Sequence, residues 1–217
     1  MDNISFILKV KDVSLIFGKQ LILNSLSLAV TPGEILQILG NNGVGKSSLL
    51  AIIAGLIRPN QGEVLINEQS MFSSSRSNIL KRLGYLGQRT NLYHNLTILE
   101  NLQLMQKCYQ NQSKVVLEET INIFNLQDYQ NKLISECSQG VTKRASLART
   151  FIARPDFVLL DEPLANLDLA SQDKFYDLIK SYKKNNSTVI FISHETEKLA
   201  ELVTRKVLLE KGKLHWT

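Results

Sequence analysis

Eight consecutive residues, Gly40, Asn41, Asn42, Gly43, Val44, Gly45, Lys46 and Ser47, carry the strongest chemical signal in the chain. Glycines at this spacing let backbone N–H groups curl around a phosphate, a lysine then reaches the β and γ oxygens, and a hydroxyl reaches magnesium. Ser48 follows as a further phosphate-side hydroxyl. A second signal lies far downstream, where the apolar run Phe157, Val158, Leu159, Leu160 ends in Asp161 and Glu162. That pattern puts carboxylates at the C-terminal edge of a buried strand. There Asp161 can hold magnesium through water, and Glu162 can accept a proton from an attacking water. Alone, two acids before Pro163 could equally cap a turn; with a phosphate loop upstream at parallel-sheet spacing, chemistry is the stronger reading.

Residues of this kind work only when rigid elements hold them. The run Ile35, Leu36, Gln37, Ile38, Leu39 is mostly apolar, as in a buried parallel strand, and stops at Gly40. Leu49, Leu50, Ile53 and Ala54 then mark a helix that Gly55 and Pro59 close. Strand, glycine loop and helix form the context that a phosphate loop needs. Before it, residues 4–10, 13–17 and 26–30 read as strands, and Thr31-Pro32-Gly33 as a turn. After it comes a short strand at 83–86, and then a stretch rich in Asn, Gln and Leu from about 91 to 135. Helical spacing dominates there: Leu96, Leu99 and Leu102 share one face, and Val115, Val116, Ile121, Ile123 and Phe124 another. The spacing predicts a helix over 140–153, a strand over 157–160, a helix over 171–182, a strand over 188–192, a helix over 195–202 and two short strands to Trp216. Alternating strands and helices imply a parallel sheet covered on both faces.

With 217 residues and 44% hydrophobic content, one domain spanning 1–217 is expected. Twenty-five Lys and Arg against twenty Asp and Glu give a net charge of +5, dispersed along the chain. A nucleic-acid binder concentrates its charge more than this, so no nucleic-acid partner is expected. No apolar run approaches the roughly 20 residues needed to cross a bilayer, and Asp2 and Asn3 stand where a secretory signal would be positive. The expectation is a soluble, intracellular chain. Cys108 and Cys137 have no ligand-type spacing and are expected to be reduced thiols.

The order of the phosphate loop, Gln88, Ser138-Gln139-Gly140, Asp161-Glu162, Ala165-Asn166-Leu167-Asp168 and His194 resembles an ABC transporter ATPase subunit over nearly the whole chain. The resemblance implies a P-loop NTPase fold, a RecA-like parallel sheet core with an N-terminal antiparallel β-subdomain and a helical subdomain inserted at about 89–140. It implies ATP and Mg2+ as ligands, and a head-to-tail homodimer in which each ATP meets the phosphate loop of one copy and Ser138 and Gly140 of the other. Gln88 resembles the glutamine that senses magnesium and contacts the membrane partner. Asp168 resembles the aspartate that acts across the dimer, and His194 the histidine that holds the γ-phosphate. Phe17 sits where the family stacks an aromatic ring on adenine. A separate transmembrane permease is implied too, which would place the chain peripherally on the cytoplasmic side of the membrane.

The signature segment, usually Leu-Ser-Gly-Gly-Gln, reads Cys137, Ser138, Gln139, Gly140, Val141. Gln139 in place of glycine is expected to narrow the backbone angles and add bulk beside the nucleotide. Two rivals follow: an ABC-type ATPase without a membrane partner, and an ATP-binding module whose hydrolysis is weak. A kinase or GTPase is disfavoured, since the chain has no guanine-reading Asn-Lys-x-Asp. Tyr85-Leu86-Gly87-Gln88 and residues 91–97 resemble exporter-type cassettes, and Leu36-Gln37-Ile38 is similar to the haem exporter ATPase of cytochrome c maturation.

Overall fold

A computed structural model describes residues 7–109, 113–193 and 197–216. The chain opens with β1 (Leu8–Phe17) and β2 (Gln20–Val30), followed by β3 (Ile35–Leu39) and α1 (Lys46–Ile53). Next come β4 (Gln61–Ile66), β5 (Gln69–Ser70), α2 (Ser77–Leu80) and β6 (Leu83–Leu86). Three helices, α3 (Ile98–Cys108), α4 (Lys114–Ile123) and α5 (Gln139–Phe151), lead to β7 (Phe157–Asp161), α6 (Leu169–Lys184) and β8 (Thr188–Ile192). The chain ends with α7 (Glu197–Ala200), β9 (Arg205–Glu210) and β10 (Lys213–Trp216). Among the described residues no helix is long and apolar enough to cross a membrane.

The strands form two sheets. An antiparallel sheet has the order β2-β1-β4-β5, and a six-stranded sheet the order β10-β9-β3-β8-β7-β6. In the second, β9, β3, β8, β7 and β6 run parallel, and β10 closes the edge as an antiparallel hairpin with β9. The expected parallel sheet is therefore mixed at one edge. Its strands are apolar on both faces because each face has its own cover. Phe157, Leu159, Ile190 and Ile192 point into a core shared with the antiparallel sheet and α1. Their neighbours Val158, Leu160, Val189 and Phe191 point into a second core under α3, α4, α5 and α6. Phe151 anchors that second core, with its ring centroid 6.1 Å from Phe124, 6.2 Å from Phe175 and 5.2 Å from Tyr182.

Local departures from the expected elements have local causes. The two strands read at 4–10 and 13–17 merge into β1, since Asp12 at φ 49° absorbs the register shift between Val10 and Val13; residues 4–6 lie outside the described residues. Helix α3 starts at Thr97, whose hydroxyl accepts from the Glu100 N–H while the Glu100 carboxylate accepts from the Thr97 N–H. This reciprocal cap leaves Leu96 outside the helix. On α4, Val115 and Ile123 face outward, and the buried stripe is Val116, Leu117, Thr120 and Ile121. The apolar face is narrower than expected: Val115 lies on the side opposite the stripe, and Ile123, seven residues after Val116, sits at its edge on the last residue of the helix.

Candidate functional site

The phosphate loop joins the end of β3 to the first turn of α1, and its glycines are there for steric reasons. Gly40, Gly43 and Gly45 all have positive φ, at 143°, 78° and 110°. A Cβ on Gly40 would lie 2.5 Å from the Leu209 carbonyl oxygen, and one on Gly45 would lie 2.8 Å from Ile22 Cγ2. Gly45 is also the N-cap of α1, so the positive end of that helix opens into the loop. Gly45→Ala combines a left-handed backbone with this clash, and is expected to weaken ATP binding by about tenfold or more. Titration with a fluorescent ATP analogue checks this, and undiminished affinity would show that the loop tolerates a side chain.

Lys46 is buried, and its Nζ donates to the carbonyls of Gly40 at 2.7 Å and Asn41 at 2.9 Å, which ties the loop into a ring. Next to it, Gln88 Nε2 donates to Ser47 Oγ at 3.1 Å. That bond joins the second residue after β6 to the start of α1. Asp161 ends β7 at 2% exposure, and its Oδ2 has no hydrogen-bond partner. Burial and the charge of Asp161 together push the phenol of nearby Tyr85 above its ordinary pKa, burial being the larger cause.

Glu162 adopts a left-handed backbone at φ 47°. For a residue with a Cβ this costs about 1–3 kcal/mol and persists only where the surroundings over-determine it. Here its N–H donates to the Ile192 carbonyl at 2.9 Å, while its own carbonyl accepts from the Ala165 N–H at 3.3 Å and Lys143 Nζ at 2.7 Å.

These groups converge. A cleft of about 440 Å³ is lined by Phe17, Asn42, Gly43, Gly45, Lys46, Ser47, Ser48, Gln88, Asp161 and Glu162, with Ile22 and Ile192. Phe17 ends β1 with 54% of its surface exposed. Ile22, two residues into β2, widens the apolar patch that Phe17 begins. Sequence reading missed Ile22, and the signal was the alternation of β2, where Leu21 faces out and Ile22 turns in. A larger cleft of about 740 Å³, lined by Phe124, Arg154 and Tyr182 among others, holds none of these groups. Chemistry, and not volume, identifies the site.

Ser138, Gly140 and Asp168 are not among the residues that line this cleft. Ser138 is the N-cap of α5 and accepts from the Val141 N–H at 3.4 Å. Gly140 packs so closely that a Cβ would lie 3.2 Å from the Asn166 carbonyl oxygen. Asp168 caps α6, where its Oδ1 accepts from the Ser171 N–H at 2.8 Å. That backbone bond is the main cause holding its carboxyl below the usual carboxylate range. Ser138, Gly140, Asn166 and Asp168 therefore gather around the starts of α5 and α6. His194 lies outside the described residues.

The backbone corrects one half of the Gln139 expectation, the need for glycine's angles. Gln139 is the first residue of α5 and is absent from the left-handed region, so glycine's freedom is not required there. Its side chain is exposed and costs no internal packing. Val141, in place of the family's glutamine, is buried in the second core and serves packing.

The donor set fits a magnesium nucleotide. Mg2+ is held through one or two carboxylates plus substrate phosphates more often than by an all-protein cage. A buried, unpartnered Asp161 oxygen beside the Ser47 hydroxyl and the Gln88 amide is such a partial set. Among the described residues no cluster of three or more His, Cys, Asp or Glu competes with it.

Comparison with known proteins agrees with this geometry. The family model described as "ABC transporter" matches residues 23–165. The chain is 32% identical over 192 residues to the ABC transporter ATP-binding protein NatA of Bacillus subtilis, covering 87% of this chain and 78% of that one. It is 32% identical over 211 residues to the bacitracin transport ATP-binding protein BcrA of Bacillus licheniformis, covering 97% of this chain and 69% of that one. Among solved structures, a dimeric ATP-binding cassette in a post-hydrolysis state with ADP and phosphate superposes with a TM-score of 0.86 at 26% identity, covering 96% of this chain and 98% of that one. The chain belongs to the ABC transporter family, as an ATP-binding and ATP-hydrolysing subunit.

Proposed function

We propose that residues 1–217 form one cassette that works as a head-to-tail pair of identical copies on a separate membrane-spanning permease, peripherally at the cytoplasmic face. One observation carries this reading. The cleft gathers the phosphate loop, Gln88, Asp161 and Glu162, while Ser138 and Gly140 lie on a different part of the surface. A second copy turned head to tail brings its Ser138 and Gly140 to the open side of the bound triphosphate. The dimeric cassette of similar fold supports the pairing.

In this arrangement Lys46 and the loop amides hold the β and γ phosphates, Phe17 stacks on adenine, and His194 holds the γ-phosphate. Ser47, Gln88 and Asp161 would hold Mg2+, which when bound offsets charge on the transferred phosphoryl oxygens. Glu162 takes the proton of the attacking water. Binding closes the pair, hydrolysis reopens it, and the helices between Ile98 and Phe151 together with Gln88 pass the motion to the permease. Asp168 caps its own helix two residues after Asn166, whose carbonyl lies against Gly140, and in this reading it reports across the pair.

The cargo path belongs to the permease. We propose export on the resemblance of Tyr85-Leu86-Gly87-Gln88 and residues 91–97 to exporter-type cassettes. Leu36-Gln37-Ile38, similar to the haem exporter ATPase, lies inside β3 with Gln37 fully buried, so it speaks of packing and not of cargo. The test is purification of the tagged chain from detergent-extracted membranes, with ATPase measured with and without EDTA. Copurification of a polytopic membrane protein and an EDTA-sensitive activity are expected. Recovery on ribosomes or DNA alone would overturn the reading.

A further inference from the structure

Lys143 has no task in the scheme above, yet from α5 it reaches the backbone of Glu162, which lines the cleft. It is half-buried, and its charge faces the carboxylates of both Asp161 and Glu162. Burial pushes the ammonium below its ordinary pKa, against the pull of those acids. A cation held in such a place has a specific partner more often than a solvated surface lysine does.

That partner is the backbone of the proposed base. Of the three backbone-atom hydrogen bonds of Glu162 among the described residues, those with Ile192 and Ala165 are backbone links of the sheet and of the following turn. The third, from Lys143 Nζ, is the shortest at 2.7 Å and is charge-assisted. It alone of the three comes from the helix whose first turn carries Ser138 and Gly140.

We infer that Lys143 is a positioning residue for hydrolysis: by gripping the Glu162 carbonyl it fixes the left-handed backbone that aims the base, and makes that aim depend on where α5 sits. The inference rests on the reading of Glu162 as the base and of Ser138 and Gly140 as groups that meet the partner's nucleotide. One rigid helix then touches the partner's γ-phosphate with its first turn and its own base with Lys143. Occupancy of one site in the pair is thereby conveyed to the base of the other.

The test compares Lys143→Met and Lys143→Arg with the wild-type full chain, each also in a Glu162→Gln background. A mis-aimed base is expected to lower kcat by about ten- to a hundredfold in Lys143→Met with KM for ATP within about twofold. Lys143→Arg, which keeps a cation in reach of the carbonyl, restores most of that loss. In the Glu162→Gln background, where no base remains to be aimed, Lys143→Met leaves ATP-driven dimer formation unchanged by size-exclusion chromatography. Unchanged kcat in Lys143→Met overturns the inference. So does a fall in kcat accompanied by loss of the ATP-driven dimer, which assigns Lys143 to holding the signature end of α5. Wild-type turnover in Glu162→Gln alone is a different failure: it removes the base itself, and the inference with it.

Discussion

A Glu162→Gln variant is expected to bind ATP as tightly as the wild type while its steady-state hydrolysis falls by about two to four orders of magnitude, the range set by loss of a general base. The substitution keeps shape and volume, and the backbone bonds to Ile192, Ala165 and Lys143 use main-chain atoms that the change does not touch. Binding rests instead on the loop between Gly40 and Ser47. Since closure needs bound ATP and reopening needs hydrolysis, the variant is expected to accumulate as an ATP-bound dimer. Size-exclusion chromatography with ATP, alongside phosphate-release kinetics, reads both effects. Turnover within about threefold of wild type would exclude Glu162 as the base, because general-base removal is worth far more than that.

Lys46→Ala should fail at the preceding step. Its ammonium is buried beside the loop and would exchange the carbonyls of Gly40 and Asn41 for phosphate oxygens when ATP enters. Charge-assisted bonds of this kind contribute about 1.5–3 kcal/mol each, so their loss is expected to weaken ATP binding by about a hundredfold. Two consequences separate a local from a global effect. Hydrolysis at saturating ATP falls as well, since the same ammonium faces the γ-phosphate in the reacting state. The melting temperature without nucleotide changes little, because Lys46 ties only its own loop. An affinity within about threefold of wild type would remove Lys46 from the phosphate site. The two variants are diagnostic together: one binds and cannot turn over, whereas the other scarcely binds.

Residues whose roles depend on local sequence were the ones legible beforehand. The strand, loop and helix around Gly45 and Lys46 are contiguous, so spacing alone located them. The same holds for β7 and its terminal acids. What escaped notice depends on partners distant in sequence. Strand β4 has only Val64, Leu65 and Ile66 buried, after a polar start at Gln61, Gly62 and Glu63, and it exists because it pairs with β1. Ile22 joins the site only because the β1–β2 hairpin folds beside Gly45. Lys143 reads as one more cation on a helix until the fold carries it to Glu162. The angle at Gln139 differs from expectation for another reason: glycine's freedom matters only where the backbone leaves the helical region, and here it is helical.

Gly40 also bears on how the protein is made. Its backbone lies against the Leu209 carbonyl, and β3, which leads into the phosphate loop, is sandwiched between β8 and β9. The loop leaves the ribosome early, but both strands that fix its origin are translated near the end of the described chain. Such long-range pairings form slowly, and an unpaired apolar strand is exposed to misassociation while it waits. During synthesis the nascent phosphate loop therefore has sequence but no fixed shape, and nucleotide capture belongs to the last stage of folding. ATP binding then reports that the whole central sheet has closed, and a chain stalled before β9 offers the motif without the site.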